Sequence, residues 1–197
     1  MKKGLLIFAA LFTFGYAANA QDEKASGGGS SAGMVKFGPK AGLNIATLSE
    51  DNTKALIGFH VGGFAEIMIT DKFAVQPEIL YSMQGAEADE GDGKINLDYI
   101  TIPIMAKYFV AEGFSVEAGP QVGFLTRAEL SGGGATIDVK DFTETTDFGV
   151  NVGLGYSLPM GVMFSGRYNI GLSDTEKNND GDAVRNGVFQ LSVGYKF

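Results

Sequence analysis

The last nine residues, FQLSVGYKF at positions 189–197, alternate strictly between two kinds of side chain. One set is apolar or aromatic and consists of Phe189, Leu191, Val193, Tyr195 and Phe197. The other set is small or polar and consists of Gln190, Ser192, Gly194 and Lys196. Because successive side chains of a β-strand point to opposite faces of its sheet, this stretch predicts a strand with one apolar and one polar face.

Seven earlier segments share this period of two, which favours strands over helices. They cover residues 35–45, 57–69, 73–84, 99–109, 114–127, 147–158 and 162–172. Leu97 and Tyr99, at the start of the fourth segment, are apolar where the polar side chains are expected. We therefore expect a β-bulge near these two residues. Together the eight segments predict an all-β chain.

The connections between the segments alternate in length. Short links at 70–72, 110–113 and 159–161 separate long ones at 46–56, 85–94, 128–145 and 173–186. Short turns at one rim and long loops at the other are typical of outer-membrane barrels, whose strands need roughly 9–11 residues to cross a bilayer. The pattern predicts an eight-stranded antiparallel up-and-down transmembrane β-barrel, with apolar faces toward lipid and polar faces toward the lumen. A soluble periplasmic ligand-binding barrel, with the apolar faces inside, is the alternative.

The beginning of the chain has the features of a secretory signal. Lys2 and Lys3 precede a short apolar run, and Ala18-Asn19-Ala20 matches the cleavage motif, so we predict cleavage after Ala20. Residues 21–33 are rich in Gly and Ser and predict a flexible linker before a barrel over residues 34–197. Loss of residues 1–20 removes two lysines and no acids, which leaves a net charge of −10 and disfavours nucleic acid as a partner.

Ionisable side chains occupy the predicted polar faces. They are Lys40, His60, Glu66, Glu78, Lys107, Glu117, Arg127, Asp147, Arg167 and Lys196. The four long links carry a net charge of −9, whereas the acids and bases of strands and short links balance. Since eight strands enclose room only for side chains, we predict that these residues form a compensated, structural polar network. A selectivity lining or a small binding site is the alternative.

The sequence offers no catalytic, cofactor or metal site. His60 is the only histidine and there is no cysteine, so the common zinc ligand sets cannot be assembled. A hydrolytic dyad built on His60 would need a supporting group that the sequence does not identify. We therefore predict a protein that is not an enzyme and needs no cofactor. A membrane-embedded enzyme would require acid, base or nucleophile residues clustered at the loop ends.

Three stretches, FGPKAGLNIATL (37–48), YITIPIMAKYF (99–109) and VEAGPQVGFL (116–125), resemble the PorT-like, porin-family outer-membrane β-barrels of Bacteroidetes. So does the ANAQ region at 18–21. The resemblance implies an eight-stranded barrel in the outer membrane. Separately, the alternation that ends on Phe197 resembles the signal by which bacterial outer-membrane barrels are recognised for assembly, so we expect Tyr195 and Phe197 to form the signal for the barrel-assembly machinery.

The sequence thus predicts a small non-enzymatic barrel in the bacterial outer membrane, with both termini in the periplasm. Its expected partners are outer-membrane lipid, the barrel-assembly machinery and other envelope proteins. The expected role is structural or an interaction within the envelope. The resemblance also leaves open an accessory role in protein secretion, because one branch of that family is associated with secretion.

Overall fold

A computed structural model describes residues 31–49, 53–89, 91–174 and 184–197. The predicted signal peptide and residues 21–30 of the predicted linker lie outside this part. The described residues form these strands: β1 Val35–Leu48, β2 Thr53–Thr70, β3 Phe73–Ala88, β4 Lys94–Ala111, β5 Phe114–Gly132, β6 Ala135–Asp138, β7 Thr146–Ser157, β8 Val162–Gly171 and β9 Asn186–Tyr195. A single-turn 3₁₀ helix, Lys140–Phe142, follows β6.

Eight of these strands close into a ring in which every pair is antiparallel. Each barrel strand pairs with its neighbour in the chain, with β5 pairing to β7. The ring is completed by β1 and β9, where Ala41 lies opposite Val193 and Leu43 opposite Leu191. Closure satisfies the backbone hydrogen-bonding groups of both terminal strands, which would otherwise be exposed edges. The predicted eight-stranded antiparallel barrel is therefore confirmed.

The barrel is apolar outside and mainly polar inside. Phe59, Ile79 and Val193 point outward and are 46%, 38% and 47% exposed. Lys40 and Arg167, on the opposite faces of their strands, are each only 1% exposed. In water this arrangement would be unfavourable, whereas hydrocarbon makes it favourable. The alternative barrel with its apolar faces inside is therefore wrong.

The strands β1 to β5 are longer than the sequence predicts. The predicted long links 46–56 and 85–94 shrink to residues 49–52 and 89–93, because β1 to β4 continue into them. The predicted link 128–145 contains the end of β5, the short strand β6 and the 3₁₀ helix. Cross-strand hydrogen bonds continue beyond the apolar band, which is the belt of outward-facing apolar side chains around the barrel. The alternation of side chains therefore marks only the lipid-facing part of each strand. The alternation in link length remains.

We call the rim with connections 71–72, 112–113 and 158–161 the short-turn end, and the opposite rim the long-loop end. The barrel wall is uneven at the long-loop end. Residues 53–55, 86–88, 94–97 and 128–132 remain paired with one another and with β6. In contrast, the pairing of β5 with β7 stops at Phe124 and Thr146. These paired segments and β6 form a one-sided sheet that we call the wall extension.

No helix in the described ranges is long and apolar enough to span a membrane.

Candidate functional site

The half of the lumen nearer the short-turn end is filled by alternating charges. Seven side chains form what we call the ion network: Lys40, Glu66, Glu78, Lys107, Glu117, Arg167 and Lys196. They come from β1, β2, β3, β4, β5, β8 and the residue after β9. Because inward positions on neighbouring strands meet within a narrow barrel, residues distant in sequence become direct neighbours.

Each carboxylate of the ion network contacts two cations. Glu78 lies 3.0 Å from the Lys40 ammonium and 2.7 Å from the Arg167 guanidinium. Glu117 accepts a hydrogen bond from Arg167 Nε at 2.9 Å, and it lies 2.8 Å from Arg167 Nη2 and 3.3 Å from Lys107 Nζ. Every charge thus has a partner of opposite sign, which is the condition for burying ions away from water.

Glu66 continues the chain of charges to the end of the barrel. Its two oxygens lie 2.8 Å from Lys107 Nζ and 2.8 Å from Lys196 Nζ. Gln76 links the network across its centre, because Lys107 Nζ donates to Gln76 Oε1 at 3.0 Å. The Gln76 amide in turn donates to Glu78 Oε1 at 2.6 Å. With four cations and three carboxylates, the network carries one surplus positive charge.

Glycines on the inward face make room for these large side chains. A Cβ placed on Gly155 would collide with Glu117 Oε1 and lie 2.7 Å from Ser115 Oγ. At Gly42 it would lie 2.7 Å from Cε1 of His60. At these two positions glycine therefore leaves room for side chains that cross the lumen.

A layer of uncharged polar side chains lies next to the ion network, on its side toward the long-loop end. The Asn44 amide nitrogen donates to Ser82 Oγ at 2.9 Å and to the Met83 carbonyl at 2.7 Å, which leaves Asn44 Oδ1 as an acceptor. His60 Nδ1 lies 2.8 Å from that oxygen and is therefore the protonated nitrogen. His60 Nε2 then accepts from Ser192 Oγ at 2.9 Å.

The order Ser192, His60, Asn44 matches that of a nucleophile, a base and an orienting group. The three side chains are nevertheless enclosed, since Ser192 is 8% exposed and the other two at most 1%. A hydrolase needs space for the scissile group beside the nucleophile. The three side chains therefore fill the lumen and hold one another by hydrogen bonds. The group that supports His60, which the sequence did not identify, is the amide of Asn44 and not a carboxylate.

An apolar cluster fills the lumen at the long-loop end. We call it the apolar plug, and its buried members are Leu48, Ala86, Leu97, Tyr99, Leu125 and Ala128. Ile95, Val139 and Val184 pack against it. The predicted lumen, polar throughout, is therefore wrong at this end. Leu97 and Tyr99 break the alternation because they point into the plug, with no change of face within β4.

The predicted bulge occurs on the neighbouring strand. Asp98 lies opposite Arg127 and Tyr99 opposite Leu125, so Thr126 is an extra residue in β5. Thr126 and Arg127 consequently both point outward. Arg127 was predicted in the lumen, but its side chain is 56% exposed and forms a bidentate pair with Glu129 at 2.6 and 2.7 Å. Its assignment to the lumen network is wrong because the bulge reverses the alternation.

The other predicted residues all lie inside the barrel but in different layers. Seven of the ten form the ion network, and His60 lies in the uncharged layer next to it. Asp147 is buried at the long-loop end of β7, where Ser173 Oγ donates to its Oδ1 at 2.9 Å. The Ser173 hydroxyl also accepts from the Phe148 amide at 2.6 Å, so this pair fixes the start of β7.

Sequence reasoning did not identify Gln76, Asn44 and Ser192 as site residues. Their positions on the polar faces of the predicted strands were the available signal. In the described residues no group of three or more His, Asp or Glu side chains could hold a metal ion.

The comparisons with known proteins agree with this geometry. The model of the outer membrane protein β-barrel domain family matches residues 19–177. Neisserial surface protein A has a similar structure, with a TM-score of 0.56 and 19% identity over 83% of this chain and 97% of that chain. The attachment invasion locus protein (Ail) of Yersinia pestis, in complex with the heparin analogue sucrose octasulfate, gives a TM-score of 0.51 and 17% identity over 83% and 99%. No match is found among curated proteins.

Proposed function

Because the chain belongs to the outer membrane protein β-barrel domain family, we propose that it is a small non-enzymatic outer-membrane barrel that acts through its long-loop end. Its role is structural or an interaction with other envelope components. Both termini lie in the periplasm and the long-loop end faces outward, as the rule of short periplasmic turns and longer external loops indicates. Residues 1–20 act as the cleaved export signal.

The filled lumen is the observation that carries this proposal. Conduction needs a continuous water-filled path through the lumen. Two separate layers of side chains block such a path in this barrel. The ion network buries Lys40, Lys107 and Arg167 to about 1% exposure at one level. The apolar plug occupies the lumen at another level with side chains that are hydrocarbon except for the buried hydroxyl of Tyr99. A barrel of this kind presents surfaces and does not transport solutes.

The first experiment measures conductance. The refolded protein, checked by its heat-dependent shift on a gel, is added to a planar lipid bilayer under an applied voltage. We expect no stepwise increase in current. Reproducible current steps that scale with protein concentration would contradict the proposal, because they require an open lumen.

The second experiment determines orientation in cells. The chain has no cysteine, so single variants carry one unique label site. Asp89→Cys lies at the long-loop end and Lys72→Cys in a short turn. We expect a membrane-impermeant maleimide to label the first in intact cells and the second only after the outer membrane is permeabilised. The reverse pattern would overturn the orientation, and labelling of both in intact cells would overturn membrane insertion.

The ligand named for Ail is a polyanion, and the charge of this chain argues against the same ligand here. The four predicted long links carry a net charge of −9, so a sulfated polymer would be repelled from the long-loop end. An interaction at this end therefore favours neutral or basic partners.

The resemblance of residues 37–48, 99–109 and 116–125 to PorT-like barrels of Bacteroidetes supports a second candidate, an accessory role in protein secretion. Deletion of the gene followed by analysis of the secreted proteins tests it. An unchanged set of secreted proteins would contradict this role and leave the barrel proposal intact.

A further inference from the structure

The wall extension ends at β6, a strand that has a partner on only one side. Gly133 and Gly134 have φ angles of +59° and +79°, which is the left-handed geometry of a two-residue hairpin turn between β5 and β6. The strand β6 pairs with β5 on one side, and no other strand of the described residues pairs with its far side. The strand β6 therefore keeps a free edge along its whole length.

The hydrogen-bonding register identifies the groups at this edge. The Val139 amide donates to the Ala128 carbonyl at 3.1 Å, and residue pairs of an antiparallel ladder alternate between bonded and non-bonded. Ile137 is therefore bonded to Leu130, whereas Thr136 lies opposite Ser131 in a non-bonded pair. The backbone N–H and C=O groups of Thr136 and Asp138 consequently point away from β5, toward the free edge.

The two faces of the β5–β6 hairpin differ in chemistry. On one face the apolar pair Leu130 and Ile137 is 46% and 61% exposed. The other face carries Asp138 on β6 and, opposite it on β5, Glu129, whose carboxylate is paired with Arg127 at 2.6 Å. A strand that extended this sheet would place alternate residues beside an apolar row and an acidic row.

The charge around the edge selects the occupant. Residues 128–145 carry a net charge of −3, and Asp92 lies against the turn, where it accepts from the Gly133 amide at 3.0 Å. A second copy of the chain would bring the same carboxylates together, which is unfavourable. An extended segment that alternates basic and apolar residues is complementary to both rows.

We propose that the free edge of β6 binds an extended segment of another protein by strand addition, and that this segment alternates Lys or Arg with apolar residues. This inference rests on the proposed function, because it requires the long-loop end to face outward. Backbone hydrogen bonds to Thr136 and Asp138 provide the pairing. Asp138 and the net negative charge of residues 128–145 select the basic residues, and Ile137, with Leu130 behind it on β5, receives the apolar ones.

The test uses a fluorescein-labelled decapeptide of alternating lysine and valine. Its binding to the full chain in nanodiscs of zwitterionic lipid is measured by fluorescence anisotropy. The control peptide carries proline at two central positions, which keeps most of the charge but prevents strand pairing. We expect the alternating peptide to bind at least about tenfold more tightly than the proline peptide. Equal binding of the two peptides would reduce the effect to non-specific electrostatics and overturn the proposal.

Two variants at one position separate backbone pairing from side-chain contact. Thr136→Pro removes the N–H that points to the free edge but no hydrogen bond to β5. Thr136→Val keeps this N–H. We expect Thr136→Pro to weaken peptide binding by about tenfold and Thr136→Val to leave it nearly unchanged. Unchanged binding in Thr136→Pro, with the folded barrel verified by its gel shift, would overturn the proposal.

Other outcomes are also decisive. Absence of peptide binding by a barrel that is folded, non-conducting and labelled at Asp89→Cys from outside would overturn the strand-addition proposal and leave the proposed function standing. Concentration-dependent dimerisation that Thr136→Pro abolishes would identify a second copy of the chain as the occupant. It would overturn the proposal that a basic segment of another protein binds there. Labelling of the short-turn end from outside would overturn the proposed function itself.

Discussion

Glu117 is a junction between two cations, Arg167 and Lys107, each of which has one further carboxylate partner. Its carboxylate contacts Arg167 at 2.8 Å and Lys107 at 3.3 Å, and the side chains of all three residues are at most 1% exposed. Removal of one partner from a buried ion pair leaves an uncompensated charge in a medium of low dielectric constant, which costs more than the pair itself contributes. The energetic importance of this residue therefore lies in what its loss would expose.

We expect Glu117→Gln to lower the free energy of unfolding by about 3–5 kcal/mol. The measurement is urea unfolding of the protein in lipid vesicles. Glu129→Gln is the matched control, because the same change at the exposed pair with Arg127 should have little effect. Equal stability of the two variants would contradict the importance of the ion network.

At this scale the sequence predicts most residues of the site but not their grouping. The two-residue period alone places Lys40, Glu78 and Arg167 inside the barrel, because a strand has only two faces. Arg127 is misassigned because one extra residue, Thr126, moves every later side chain of β5 to the opposite face. Such a bulge depends on pairing with β4, which no pattern within β5 reveals.

The strand β7 shows how an element is adapted to the lumen contents. Its inward positions alternate glycine with Asp147 and Asn151, so the strand has little bulk where Glu117 and Arg167 cross the lumen. Gly155 pairs with Ser165 on β8, and a Cβ there would collide with the Glu117 carboxylate. An added methyl group would force the ion network to shift.

Gly155→Ala should therefore reduce the free energy of unfolding by about 1–3 kcal/mol, the usual effect of overpacking. Gly166→Ala on β8 is the control, because a Cβ there meets only Leu191 Cδ2 at an ordinary 3.7 Å. Unfolding midpoints in urea compare the two variants. A more severe effect at Gly166 than at Gly155 would contradict the role of the inward glycine.

The strand β9 allows the assembly signal to be tested separately from stability. Tyr195 and Phe197 make an edge-to-face contact with ring centroids 5.0 Å apart, and both rings are exposed. We expect Phe197→Ala to reduce the amount of folded protein in the outer membrane of cells while refolding in vesicles stays nearly unchanged. Phe189→Ala, on the same face of β9, should leave assembly in cells less affected. Equal loss for both variants would contradict a specific terminal signal.

The ends of the elements were less predictable than their centres. Lipid imposes the alternation on residues such as Phe59 and Val61, so the membrane-crossing part of β2 could be identified from sequence. Beyond the apolar band both faces meet water, and pairing of Thr53 with Ala88 leaves no periodic signal. For the same reason β6 was not predicted, although its Gly133-Gly134 turn is a recognisable hairpin sequence.

At the scale of the molecule, the ion network joins distant parts of the chain. Arg167 on β8 contacts Glu78 on β3, and Lys196 contacts Glu66 on β2. No consecutive group of strands contains all the partners of its own charges. A partly assembled barrel would therefore hold unpaired ions at the level of the bilayer, which is strongly unfavourable.

We expect unfolding in vesicles to be a single transition, with tyrosine fluorescence and the gel shift changing at the same urea concentration. Gly166→Ala is a suitable control, because it leaves the ion network intact and should retain one transition. Two separated transitions, one for the β1–β5 half and one for the β7–β9 half, would contradict the view that the network unites the barrel.

The surplus cation in the ion network also determines how a damaged barrel would behave. Four positive and three negative side chains leave a positive potential at the level of the ion network, in surroundings that screen charge poorly, while Asp147 carries a negative charge nearer the long-loop end. If truncation of Leu97 and Tyr99 opened a narrow water path, chloride would pass more readily than potassium. Where the ion network is the narrowest part of that path, the leaking variant would be anion-selective, even though the links at the long-loop end are acidic.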